Sequence, residues 1–118
     1  MDKVNQFIEE IDYNIDFKKI VNLRKPEEYL ETITLFANME KVGYIIFGVN
    51  QEKNEIIGIK KVKKSYQEIA QNIKKYIRPA LEYIIKIAYL DEKNIILVKV
   101  IPKKGRIYYY AKELKWNC

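Results

Sequence analysis

Histidine is absent from this 118-residue chain, and cysteine occurs once, as Cys118. The first absence removes imidazole general bases, histidine zinc ligands and every serine or cysteine mechanism that leans on an imidazole. The second excludes an internal disulfide and a thiolate metal cluster within one chain, leaving Cys118 as an incidental tail thiol. Glycine (4) and proline (3) are scarce, no linker divides the sequence, and a single domain over residues 1–118 is expected. No apolar run approaches the ~20 residues of a membrane span. Met1-Asp2-Lys3-Val4-Asn5-Gln6 lacks an apolar signal core, so a cytoplasmic protein with no membrane partner is expected. Neither GxxxxGK[ST] nor GxGxxG occurs, which leaves ATP hydrolysis by this chain unsupported.

What is present is ordinary for a globular protein, 48% hydrophobic and 32% charged. Lys and Arg outnumber Asp and Glu by 22 to 16, a net charge of +6. A basic surplus favours polyanionic partners where it gathers on one face. The same Lys-, Ile-, Asn- and Tyr-rich composition also follows from an AT-rich genome.

Along the chain, Val4, Phe7, Ile8 and Ile11 have the spacing of one helical face and predict a short opening helix. Tyr13, Ile15 and Phe17 alternate with Asn14, Asp16 and Lys18, predicting a first strand from Tyr13 to Ile20. Pro26-Glu27-Glu28 starts a helix, and Tyr29, Leu30, Ile33, Phe36 and Ala37 give it one apolar face through about Met39. Tyr44-Ile45-Ile46-Phe47 reads as a buried strand closed by Gly48, which allows another chain or a ligand to approach closely. The polar stretch Asn50 to Glu55, followed by Ile56-Ile57-Gly58-Ile59, predicts a hairpin. Ser65 and Glu68 match a capping box that would start the second main helix, whose face Tyr66, Ile69, Ala70, Ile73 and Ile77 runs to Arg78-Pro79. Tyr83 to Leu90 and Asn94 to Ile101 form an antiparallel pair, and Ile107 to Ala111 a last strand. The expected fold is α+β: a single mixed sheet of about five to six strands with two main helices packed on it.

Several short segments fall in a distinctive order: Asp16-Phe17-Lys18, a helix ending in Phe36-Ala37-Asn38, Gly43, the strand Tyr44 to Phe47, Gly48-Val49, Ile56 to Ile59, Arg78-Pro79 and the strand Ile95 to Val100. This order resembles the Schlafen-type Alba-like (AlbA_2) domain, a DNA-binding family formerly called the divergent AAA ATPase domain. Asp16 stands where the family carries glutamate, its glycine pair is Val42-Gly43 here, and the turn from Asn38 to Gly43 is one residue longer. The resemblance implies a nucleic-acid-binding module, frequently the N-terminal part of a longer transcriptional regulator. Some animal relatives are instead metal-dependent endoribonucleases that use three carboxylates. Relative to Asp16, the upstream acid of that pattern falls at Ile11, flanked by Glu10 and Asp12, and the third falls near Asn50 to Glu52.

The leading expectation is a non-enzymatic module without a cofactor that binds nucleic acid, DNA foremost, through phosphate contacts of low specificity. The candidate residues are Lys18, Lys19, Lys60, Lys61, Lys63, Lys64, Lys103, Lys104 and Arg106, with Tyr109 available for stacking. The alternative is an endoribonuclease in which Asp16 and Glu52, completed by Glu10 or Asp12, would hold Mg²⁺ or Mn²⁺. A blander reading pairs Asp16 with Lys18 as a surface ion pair. A third reading is a protein-interaction module or homodimer that exposes strand edges.

Overall fold

A strand with no charged residue on either face has to be covered on both, and Tyr44-Ile45-Ile46-Phe47 is such a strand. In the computed structural model, which describes residues 2–111, it lies at the centre of a mixed sheet. The elements in chain order are α1 (Asp2–Asn5), β1 (Asn14–Lys18), α2 (Glu27–Ala37), β2 (Gly43–Phe47), β3 (Val49–Asn50), β4 (Glu55–Ile56), α3 (Val62–Tyr76), β5 (Ile77–Arg78), β6 (Glu82–Leu90), β7 (Lys93–Ile101) and β8 (Tyr109–Tyr110). The main sheet has the order β1-β2-β7-β6. β1 runs parallel to β2, and the other neighbours are antiparallel. Cys118 lies outside the described residues.

The α+β class and the two helices on a mixed sheet agree with the sequence, whereas the strands divide differently. Four form the main sheet, and the others pair as two ribbons, β3 with β4 and β5 with β8. Gly48 makes the first division. Its φ of 99° turns the chain out of β2, its N–H donates to the Lys18 carbonyl, and its own carbonyl accepts from both Ile57 and Gly58. A side chain there would be strained by the left-handed backbone and would press on Ile59 and Gly58. The second division follows Pro102, which lacks the N–H needed to extend β7, so the last strand pairs with β5 instead.

Three predicted boundaries shift for physical reasons. The opening helix stops at Asn5: Phe7 and Ile8 still pack inward from an irregular segment, but Ile11 is fully exposed. Ile20 lies beyond β1 and is exposed. α3 begins at Val62, because Val62 already lies on the packed face, so Ser65 sits inside the helix with its N–H bonded to the Lys61 carbonyl. No side-chain cap forms, and the Ser65/Glu68 capping box is not realised.

Each face of the sheet has its own core. On the helix face, Ile45, Phe47, Ile96, Val98 and Val100 pack against Tyr29, Leu30, Ile33 and Phe36 of α2 and Ile69 and Ile73 of α3. Tyr29 meets Phe47 edge-on at 5.8 Å, and its buried hydroxyl accepts from the Asn72 amide at 2.8 Å. Each fully buried Ile or Phe here stabilises the fold by roughly 1.5–3 kcal/mol. Where α2 ends over β2, a Cβ on Gly43 would stand 2.4 Å from the Phe36 ring. On the opposite face, Tyr44, Ile46, Ile95 and Leu97 are covered by Val4, Phe7 and Ile8.

One polar cluster interrupts that opposite face. Lys99, a charged residue on the same face of β7 as Ile95 and Leu97, reaches Glu10 at 2.7 Å, and the Tyr44 hydroxyl also donates to Glu10. Burial pushes the Glu10 carboxyl up, but donation from Lys99 and Tyr44 outweighs it and holds the group below the ordinary glutamate range. The Glu10 hydrogen bond lifts the Lys99 ammonium above the ordinary lysine value, against the effect of burial.

Two predictions follow from this packing. Gly43→Ala overpacks the Phe36 contact and lowers stability by about 1–3 kcal/mol, read as a reduced urea midpoint with an unchanged slope. The depressed Glu10 group contributes stability that is present above its unfolded pKa and lost as pH falls through the folded value. The raised Lys99 group contributes stability present below its unfolded pKa and lost as pH rises through the folded value. Urea titrations from neutral to acid pH should therefore show a smaller loss of stability in Glu10→Gln than in the parent chain, and parallel losses would refute the linkage.

Candidate nucleic-acid interface

The basic residues singled out in the sequence occupy two separate places. After β7, Pro102 leads into a turn in which the Arg106 N–H donates to the Lys103 carbonyl at 3.0 Å and Gly105 takes a φ of 82°. Lys103, Lys104 and Arg106 are all exposed on it. The return of this turn is fixed by Asn38, at the C-terminal cap of α2. Its amide group donates to the Tyr108 carbonyl at 2.8 Å and accepts from the Tyr108 N–H at 2.7 Å, as a neighbouring strand would. Between the turn and Ala37 to Glu40 lies an open cleft of about 540 Å³. Tyr108 is buried and Tyr109 is exposed, so the alternation expected of the tyrosine run is present.

The second basic group lies at the other end of the sheet. Lys18 pairs in register with Phe47, and Gly43 pairs with Val100, so β2 separates the two ends by about 13 Å of strand. Lys19, Lys60 and Lys61 line a groove of about 330 Å³ whose walls include Ile20, Leu23 and Ile57. Lys63 and Lys64 project from the first turn of α3. That turn contains no acidic residue and no side-chain cap. Its amide ends and its lysines therefore place positive potential together, an arrangement that disfavours an isolated helix and favours an anion beside it.

Ion pairing divides these cations further. Lys18 lies 3.0 Å from Asp16, and alternation along β1 puts both on the helix face, since Ile15 and Phe17 pack on the other. Lys3, Lys41 and Lys99 are paired with Asp91, Asp12 and Glu10. Among the described residues, Lys19, Lys60, Lys61, Lys63, Lys64, Lys103, Lys104 and Arg106 have no ion-pair partner.

The candidate carboxylates do not converge. Asp16 faces the helices beside Lys18, Glu10 faces the opposite side beside Lys99, Asp12 joins Lys41 at 3.0 Å, and Glu52 is exposed in the turn between β3 and β4. Among the described residues no group of three or more His, Cys, Asp or Glu side chains is placed to hold a metal ion. Two residues central to this geometry were not prominent as site residues in the sequence. Asn38 was visible only as the last residue of the Phe36-Ala37-Asn38 segment at the end of a helix, and Lys99 only as a charge within an apolar strand.

No curated protein matches this chain. The solution NMR structure of the N-terminal domain of a RecG-related protein from Nitrosomonas europaea, named among ATP-dependent DNA helicases, is similar to it. That likeness has a TM-score of 0.63 at 20% identity and covers 98% of this chain and 79% of the other. At that identity the match speaks for the fold. The family model for Schlafen, AlbA_2 matches residues 12–116, nearly the whole sequence. The chain belongs to the Schlafen AlbA_2 family.

Proposed function

We propose that this chain is a nucleic-acid-binding module, with DNA as its polymer, held mainly by phosphate contacts and serving transcriptional regulation. The observation that carries this reading is the segregation of charge. Ion pairs engage Lys18 and Lys99 on the faces of the sheet, while among the described residues Lys60, Lys61, Lys63 and Lys64 at the amino end of α3, and Lys103, Lys104 and Arg106 on the turn after β7, cluster without an ion-pair partner. Two such groups on opposite ends suit an extended polyanion better than a small ligand. Membership of the Schlafen AlbA_2 family and the likeness to a domain of a helicase-named protein both support it. The dispersed carboxylates give no comparable support to the nuclease alternative.

Fluorescence anisotropy with double-stranded DNA, single-stranded DNA and a structured RNA, each titrated against salt, tests the proposal. For duplex DNA the slope of log affinity against log salt should be about −0.9 per phosphate contacted. Replacing Lys60, Lys61, Lys63 and Lys64 together by Ala should flatten the slope by up to about 3–4 units, and replacing Lys103, Lys104 and Arg106 by up to about 2–3. Lys18→Ala should change little, because Asp16 already neutralises Lys18. Absence of binding at low salt, or slopes indifferent to both sets of substitutions, would remove the proposal; preference for RNA would remove its DNA component.

A further inference from the structure

β6 is an edge strand of unusual character. It runs nine residues from Glu82 to Leu90, pairs with β7 one-to-one without a bulge, and contains no proline. Its only charges are Glu82 and Lys86, while Ile84, Ile87 and Tyr89 are exposed. Natural edge strands are normally blunted by bulges, prolines or several charges, because unpaired backbone groups recruit another strand. Among the described residues, no strand pairs with the outer edge of β6.

The hairpin that joins β6 to β7 determines which groups that edge offers. Asp91 and Glu92 have φ of 52° and 61°, the left-handed pair of a two-residue type I′ turn, with Leu90 opposite Lys93. Leu90 and Lys93 are then a hydrogen-bonded pair, and alternation makes Ala88, Lys86, Ile84 and Glu82 bond inward to β7. The N–H and C=O groups of Tyr83, Ile85 and Ile87 therefore point outward. Glu82, Ile84 and Lys86 share one face of the sheet, with the Lys86 ammonium 4.9 Å over the Phe7 ring.

We infer that β6 pairs antiparallel with β6 of a second copy of this chain, about a two-fold axis at Ile84. This register sets Glu82 opposite Lys86 of the second copy, and the reciprocal pair forms on the other side of the axis. Tyr83 and Ile85 exchange backbone hydrogen bonds across it. Both ion pairs and the Ile84 pair occupy non-hydrogen-bonded positions, where facing side chains approach most closely. An axis at Ile85 leaves both charges opposite uncharged residues, and an axis at Lys86 opposes two lysines. The two sheets become one of eight strands. Because the overlap uses the half of β6 beside the end of β7, the two Lys103–Arg106 turns lie toward its middle.

Sedimentation equilibrium from micromolar to near-millimolar concentration provides the test, with circular dichroism confirming that each variant folds. The parent chain should show a reversible monomer–dimer equilibrium. Glu82→Lys, at an exposed position, replaces two attractive pairs by two repulsive ones and should weaken association by at least about tenfold. Adding Lys86→Glu to Glu82→Lys inverts both charges and should restore it. Hydrogen exchange should find the Tyr83 and Ile85 amides protected in the parent at high concentration and fast in Glu82→Lys. A parent chain that stays monomeric overturns the proposal, as does a dimer indifferent to Glu82→Lys or a double variant that does not recover.

Discussion

The two-sided burial of β2 is the constraint on which the rest depends. From Gly43 through Asn50 every residue is buried, so each backbone group there needs a partner from the protein and each side chain needs a cover. β1 and β7 supply the backbone partners, α2 and α3 cover one face, and the segment after α1 covers the other. The strand is also framed by its two glycines. At Gly43 the absent side chain admits Phe36, and at Gly48 a left-handed turn lets one carbonyl serve two amides of the following loop. The places where the chain leaves β2 are thereby tied to the two ends at which the candidate basic residues gather.

Charge follows the same division between faces and ends. A cation that is desolvated over the sheet is costly unless it sits beside an anion. Lys99 with Glu10 and Lys18 with Asp16 satisfy that requirement on opposite faces. Lys60, Lys61, Lys63 and Lys64 remain hydrated at the amino end of α3, where the helix dipole adds to their field instead of opposing it. Their local effect on α3 is unfavourable, and the helix persists because Val62, Tyr66, Ile69 and Ile73 pack on the sheet. Packing, more than intrinsic propensity or capping, therefore sets where this helix begins.

That balance also explains what could be read from residues alone. The central strands were legible because Tyr44 to Phe47 and Ile95 to Val98 carry no charge, and α2 because its apolar residues recur at three and four positions behind Pro26. The start of α3 was misread because a local pattern at Ser65 and Glu68 competes with one apolar residue, Val62, whose burial is decided by distant strands. The division of the strands into a main sheet and two ribbons was not legible because Gly48 and Pro102 interrupt runs of suitable residues by backbone geometry. The basic candidates were legible as residue types, but their division between two ends depends on the β2–β7 register. Asp16 and Glu10 differ in face because β1 alternates while Glu10 lies on a connection, and spacing along the chain carries no record of that.

The pairing of Asn38 with Tyr108 shows how a motif residue can act at a distance from its own helix. Its amide has the donor and acceptor of a peptide group, so it satisfies both backbone groups of Tyr108 where no strand is available. Tyr108 is thereby held in the helix-side core, and the Lys103–Arg106 turn is closed at its far end while its cations remain in solvent. A flexible turn would lose conformational entropy on ordering against a polyanion, whereas one already closed by Pro102 and Asn38 loses less. The end of α2, the start of β2 and the basic turn consequently behave as one unit, with Phe36 on Gly43 and Asn38 on Tyr108 as its two fastenings. The Phe36-Ala37-Asn38 and Gly43 segments of the family pattern thus acquire a physical reason: they position the turn.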